Sequence, residues 1–269
     1  MKNFDVLASS GAFIGRKNGR NHKVFLSIYD ELSCDGVEFM VYNGWYDRID
    51  EIIADFKEKG VKVKTLHADK MIGEELGQGN VNNALHLFEK NCKIANSLGA
   101  KTAVLHLWNG PSSDDNIEIN LSAIPQLYEI ADKYSVTLAI ENVVCRNCDP
   151  YDHLAEIYKR YPYARFTFDV KMAQFHGTLG KIYTDYKFLW DRIVHLHIND
   201  YSGGVKDWER LKTLHIDEGD IDFKTFFNFV KNIGYKGTLT LECTSMGEEG
   251  EPYPEKMNES IEKVREYLV

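Results

Sequence analysis

The stretch HLHIND, His195 to Asp200, carries two imidazoles two positions apart and then an amide and a carboxylate. Leu196 and Ile198 alternate with the rings, which is the period of a strand, and side chains at i and i+2 of a strand share one face. Burying a titratable ring is costly unless it is hydrogen-bonded or ligates a metal. His195 would lie about 6.6 Å deeper along the strand than His197, whereas atoms in one coordination sphere lie about 2 Å from their metal. His197 is therefore the ring expected to reach an ion, and His195 is read as a core residue or one that orients a ligand.

Rings and carboxylates need elements to aim them. Short β-rich apolar runs alternate with amphipathic stretches along the whole chain, and no Pro/Ser-rich linker or charge block interrupts them. The strand candidates are Asp5–Ala8, Gly36–Val41, Val61–His67, Thr102–Leu107, Val136–Glu141, Arg165–Val170, Ile193–Ile198 and Gly237–Glu242. Between them YDRIDEIIADFKEKG, VNNALHLFEKNCKIANSLG and IPQLYEIADKY repeat apolar residues at three- and four-residue spacing, with Gly60 and Gly99 closing the first two. Eight strand-then-helix units predict an α/β fold, a (β/α)8 TIM barrel, as a single domain over residues 1–269. Active sites of such barrels lie at the C-terminal ends of the strands.

The residues that close those strands then become informative. Strand 3 ends in His67, strand 4 reaches His106, strand 5 ends in Glu141, strand 6 in Asp169, strand 7 in His197 and strand 8 in Glu242. A lone histidine on an apolar face is ordinarily a hydrogen-bonded core residue, and His67 or His106 alone would carry little weight. Six such groups on consecutive strands are hard to satisfy by mutual hydrogen bonds, and a divalent cation resolves the conflict. Glu141, Asp169, His197 and Glu242 are the expected metal ligands, with His67 and His106 as further candidates.

Other residues invite weaker readings. Trp108, two residues past His106, would face the mouth if the strand continues, where its plane could pack on a sugar; loop tryptophan is equally often simple cover. Glu38 on strand 2 is a candidate for substrate hydroxyls or for a pair with a neighbouring cation. His215, in the loop after strand 7, is a candidate to close over a substrate, against an exposed position. CRNC, Cys145 to Cys148, has metal-type spacing, yet a single pair without a second is weak for zinc and, without a thioredoxin-like context, weak for redox.

Charge narrows the partner. The balance is 32 − 41 = −9, with no basic stripe, so nucleic acid and anionic membranes are not expected partners. A small molecule is. The N-terminal MKNFDVLASSGAF lacks the apolar run of a signal peptide, and no segment approaches the length of a spanning helix. Five irregularly spaced cysteines fit a reducing compartment, and a cytoplasmic location is expected.

With these residues placed, the chain resembles the xylose-isomerase-like superfamily, which includes sugar and sugar-phosphate isomerases and epimerases, inosose dehydratases and endonuclease IV enzymes. LAIEN (Leu138–Asn142), FTFDV (Phe166–Val170), HLHIND, DEGDIDF (Asp217–Phe223) and GTLTLE (Gly237–Glu242) carry the resemblance, which covers essentially the whole chain. It implies that Glu141, Asp169, His197 and Glu242 hold one divalent metal, as in the ketose 3-epimerase branch, and that Glu141 and Glu242 are also the catalytic acid and base. From the endonuclease branch it implies a further zinc at His67, His106 and Glu141. The sequence departs from both branches at Met172, where a histidine is usual, and in ERLKTLHID, which lacks an Asp-x-His. A trinuclear nuclease site is therefore not expected, and Lys171 is a candidate substitute facing a substrate hydroxyl or phosphate.

The function expected is a metal-dependent isomerase or epimerase of a sugar or sugar phosphate, in carbohydrate metabolism, acting by proton transfer at the carbon next to a carbonyl. Mn2+ or Zn2+ is the first expectation for the ion, with Mg2+ and Co2+ also compatible. The alternatives are an endonuclease IV-like zinc phosphodiesterase and an inosose-type dehydratase. A homo-oligomer is compatible with the sequence.

Overall fold

The computed structural model describes residues 4–269, so the first three residues of MKNFDVLASSGAF lie outside the described residues. Eight parallel strands close into a barrel in chain order: β1 Val6–Ser9, β2 Gly36–Met40, β3 Val63–His67, β4 Thr102–Leu105, β5 Thr137–Glu141, β6 Arg165–Asp169, β7 Ile193–Ile198 and β8 Thr238–Leu241. The helices α1 His22–Ile28, α2 Ile49–Glu58, α3 Met71–Gly77, α4 Val81–Leu98, α5 Ile117–Ser122, α6 Ile124–Lys133, α7 Pro150–Arg160, α8 Val170–Phe175, α9 Phe223–Asn232 and α10 Pro254–Leu268 follow them, so each strand is succeeded by at least one helix. The (β/α)8 expectation holds. No helix among the described residues is long and apolar enough to cross a membrane.

Strand limits differ from the expectation by one or two residues, for local reasons. β3 starts at Val63 because the Val61 N–H is taken by Phe56 O as α2 ends, and Gly60, at φ +71°, makes that turn. β4 stops at Leu105, and the Leu107 carbonyl instead accepts from Asn120 Nδ2 at 2.6 Å. β8 stops at Leu241. His106 and Glu242 therefore stand one residue beyond their strands, while His67, Glu141 and Asp169 are terminal strand residues.

Packing divides the chain into two compact units. One comprises residues through Glu38, Asp169–Trp190 and Val194–Val269. In it β1 pairs with β8 (Ala8 opposite Leu241) and with β2 (Ser9 opposite Glu38), and His197 of β7 lies opposite Thr240 of β8. Asp200 closes HLHIND onto DEGDIDF: Oδ1 accepts from Tyr201 N at 2.8 Å and Ile221 N at 3.1 Å, and Oδ2 from Gly219 N at 2.9 Å. A Cβ at Gly219 would meet Asp200 Oδ1 at 2.4 Å, so only glycine fits that approach. Phe223 and Phe227 of α9 pack against Tyr267 of α10.

The other unit, Phe39–Phe168 with Asp191–Ile193, pairs β3 with β4, β4 with β5 and β5 with β6, Glu141 lying opposite Thr167. α4 is its longest helix; Ala84, Phe88, Ile94 and Ala95 are buried, and Gly99 ends it in the left-handed region. Gly73 of α3 lies against the backbone just past β4: a Cβ there would meet His106 O at 2.5 Å and Asn109 N at 3.1 Å. Backbone cannot yield as a side chain can. Gly73→Ala should therefore cost about 1–3 kcal/mol in a chemical melt, whereas Gly180→Ala, with no atom within 4 Å of its new Cβ, should stay within about 0.5 kcal/mol.

Candidate metal centre

In the second unit three buried groups converge on one atom. His106 Nε2 lies 2.9 Å and His67 Nε2 3.5 Å from Glu141 Oε2, and the two rings meet edge to face at 4.8 Å. Their other nitrogens fix the tautomers. His67 Nδ1 meets Ala68 O at 2.9 Å, and a carbonyl only accepts, so Nδ1 carries the proton. Asn109 Nδ2 donates to Glu74 Oε1 at 3.0 Å, which turns its Oδ1 toward His106 Nδ1 at 3.2 Å and puts that proton on Nδ1 as well. Burial pushes the His106 pKa down to about 4 against the pull of Glu141, so the ring is neutral at pH 7.

A neutral imidazole protonated on Nδ1 turns the Nε2 lone pair onto a carboxylate oxygen. At 2.9 Å two such lone pairs repel unless a proton or a cation lies between them. A proton on Glu141 serves one nitrogen; a divalent ion serves both. The donor set of two imidazoles and a carboxylate thus fits a metal.

In the first unit the same logic recurs around His197. Glu38 is fully buried between two rings, with Oε1 3.2 Å from His197 Nε2 and Oε2 3.1 Å from His195 Nε2. Burial would raise the Glu38 pKa, but the charge and hydrogen bonds of His197 and His195 hold it well below the usual carboxylate range. As an anion Glu38 accepts from both Nε2–H groups, which turns His197 Nδ1 away from it. That nitrogen faces Glu242 Oε2 at 3.6 Å. Asn199 steadies Glu242, accepting from its backbone N–H at 2.7 Å and donating to Oε2 at 3.4 Å. His195 is held below by Thr238 Oγ1, 2.6 Å from Nδ1, and Thr240 Oγ1, 3.0 Å from Nε2. Asp169 is buried at the end of β6 and caps α8, its Oδ1 accepting from Met172 N at 2.9 Å.

The weaker candidates are placed as follows. Trp108 is fully buried, its Nε1 donating to Val143 O at 3.3 Å and its ring against His153. His215 is 8% exposed, with Nδ1 at 2.9 Å from Ser260 Oγ and Nε2 at 3.2 Å from Thr244 O, so both ring nitrogens meet protein partners. Lys171 is buried in the first turn of α8. Sequence reading missed Asn109, Thr238 and Thr240, which orient the rings, and also Asp114 and His153, which meet Cys145 of CRNC.

A parallel barrel whose strand ends carry imidazoles and carboxylates defines a TIM-barrel protein with a ligand-rich rim. The chain belongs to the xylose isomerase-like TIM barrel family, which matches residues 27–267. It is similar in structure to D-allulose 3-epimerase from Methylomonas sp., at 14% identity and TM-score 0.71 over 98% of each chain. A similar fold is found in 3-keto-D-glucoside 4-epimerase from E. coli, at 16% identity and TM-score 0.70 over 98% of this chain and 99% of that one. In sequence it is 28% identical over 157 residues to an uncharacterized protein of Methanocaldococcus jannaschii. That match covers 54% of the chain and 51% of the relative, so the chain spans about half the length of the relative it matches.

The depressed His106 pKa has a stability signature. With a folded value of about 4 against an ordinary 6.5, the unfolded ring binds its proton first as pH falls. The contribution to stability is full above pH 6.5 and is lost as pH drops from there toward 4. Urea melts in the presence of chelator should show stability falling across that window, and His106→Gln should remove part of the slope. An unchanged slope in the variant would show that His106 titrates normally.

Proposed function

We propose that the chain is a metal-dependent isomerase or epimerase of a sugar or sugar phosphate, working by proton transfer at the carbon beside a carbonyl. The observation that carries this reading is the convergence of His67 Nε2 and His106 Nε2 on Glu141 Oε2, a donor set that fits a cation. Glu141, Asp169, His197 and Glu242 come at the C-terminal ends of the consecutive parallel strands β5 to β8, and each offers one carboxylate oxygen or imidazole nitrogen. They are the residues that would hold the ion, and His67 and His106 would bring a further one to Glu141. Mn2+ and Zn2+ suit these donors best. Likeness to two sugar epimerases in fold is consistent with the reading.

A divalent ion bound there supplies Lewis acidity at the substrate carbonyl, which acidifies the neighbouring C–H. The chain's own residues do the rest. Glu141 and Glu242 take the proton from one face of the carbon and return it from the other. Glu242, with a side chain 16% exposed against 1% for Glu141, is the carboxylate that exchanges with solvent. Glu38 fixes the tautomer of His197, and Asn199 fixes the position of Glu242. Lys171, in the first turn of α8, offers a cation to a substrate hydroxyl or phosphate. We place such an activity in carbohydrate metabolism, in the cytoplasm.

At the strand ends purified protein should hold one divalent ion per chain, or two where His67 and His106 ligate, and turnover of ketoses should stop on chelation. In D2O the reacting carbon should gain deuterium, and Glu141→Gln and Glu242→Gln at saturating metal should each lower turnover by a factor of at least about 10². A deuterium-free product with intact turnover would replace the glutamate pair with a hydride shift. The net charge of −9 argues against a nucleic-acid substrate, and efficient cleavage of abasic duplex DNA at about 0.15 M salt would overturn the sugar reading in favour of a phosphodiesterase. Loss of water from the substrate would mark a dehydratase.

A further inference from the structure

Asp114, Cys145 and His153 take no part in the ligation proposed above, yet they form a buried group of their own, with one donor atom each and all of these within 4.8 Å of one another. Asp114 lies in the loop after β4, Cys145 in the loop after β5, and His153 in the first turn of α7, whose start is fixed by Pro150 and by Asp149 capping Tyr151 N at 3.0 Å. We propose that these three side chains form a zinc site that ties the two loops to α7.

The donors are preassembled. His153 Nε2 lies 3.0 Å from Asp114 Oδ2, close to the edge of about 3.3 Å that two light ligands make in a zinc tetrahedron with bonds of about 2.0 Å. The carboxylate is held from behind by the CRNC backbone: Arg146 N donates to Oδ1 at 2.9 Å, Asn147 N to Oδ1 at 3.1 Å, and Cys148 N to Oδ2 at 3.1 Å. Burial works against its charge, but His153 and those N–H groups hold the Asp114 pKa down at about 2, so it presents an anion at neutral pH. The loop that grips Asp114 also carries the Cys145 thiol, which is fully buried and gives Val143 O a weak contact at 3.5 Å.

Thiolate, imidazole and carboxylate together are zinc donors, with a water completing four-coordination. Charge balances as well: Zn2+ with one thiolate, one carboxylate and a neutral imidazole is a neutral unit, which suits a buried place. On entry the ion displaces the Cys145 S–H proton to solvent, and the His153 proton moves from Nε2 to Nδ1. Ordinarily burial keeps the Cys145 thiol protonated, so binding should strengthen as pH rises. Cys148, three residues on, is exposed and lies outside the group. It is a matched control.

The test uses the full-length protein, reduced and stripped of metal, titrated with Co2+. A thiolate-to-cobalt charge-transfer band separates this site from the strand-end donors, which contain no sulfur, and the cysteine variants assign it to Cys145. The band should appear, reach the intensity of one thiolate-bound Co2+ per chain and be displaced by Zn2+. Cys145→Ser should abolish it, Cys148→Ser should leave it intact, and His153→Gln should weaken Co2+ binding at least tenfold. Should Cys145→Ser fail to fold by circular dichroism, the Cys148 and His153 variants decide between the same outcomes. Absence of the band at saturating Co2+, its loss in Cys148→Ser, or undiminished affinity in His153→Gln would overturn the proposal. None of these results bears on turnover at the strand ends, so the two sites are judged separately.

Discussion

The constraint on which the site depends is the encounter of an imidazole lone pair with a carboxylate oxygen. His106 Nε2 and Glu141 Oε2 stand 2.9 Å apart with no proton of the ring between them, because Asn109 has already claimed it at Nδ1. A protein interior does not hold two electron-rich atoms so close without a positive partner. His67 repeats the arrangement through Ala68 O, and His197 repeats it through Glu38. In each case a fixed acceptor behind the ring decides which nitrogen points forward, so the residues behind the rings set the direction of their donor atoms.

The parallel barrel makes that arrangement economical. Residues two apart on a strand share a face, so each forward residue sits above a companion on its own strand: His67 above Thr65, Glu141 above Ala139, Asp169 above Thr167, His197 above His195. These companions are small or hydroxyl-bearing, apart from His195, and His195 is satisfied by Thr238, Thr240 and Glu38. The companion of His197 thus carries hydrogen bonds, while Phe166, Phe168, Leu196 and Ile198 on the alternate positions are buried.

Much of this could be read from the sequence, and what could not has a common cause. His67, Glu141 and Asp169 were legible because each terminates an apolar run, and a polar residue at that boundary stands out whatever its neighbours do. His106 and Glu242 fall just past their strands, where Asn120 and Asn199 take over the backbone, and their side chains were still anticipated. Glu38 was legible as an inward carboxylate, but its partners are more than 150 positions away on β7, and no local pattern announces a pairing across that separation. His153 was invisible for the same reason: within α7 it is one polar residue in a helix, and only the fold brings it to Asp114 and Cys145. CRNC, conspicuous in the sequence, owes its position to its backbone, whose N–H groups hold Asp114.

Glu38 has a consequence for how the protein responds to its surroundings. It keeps a full negative charge inside the first unit beside two rings that it holds by their N–H groups, and Glu242 adds a second carboxylate next to His197. The charge of Glu38 is answered from within, because both rings face it and hold its pKa well below the usual carboxylate range. Glu38 is thus a keystone of that unit: a neutral group in its place would leave two buried rings without the acceptor that orients them, and the loss would be felt as a shorter-lived fold.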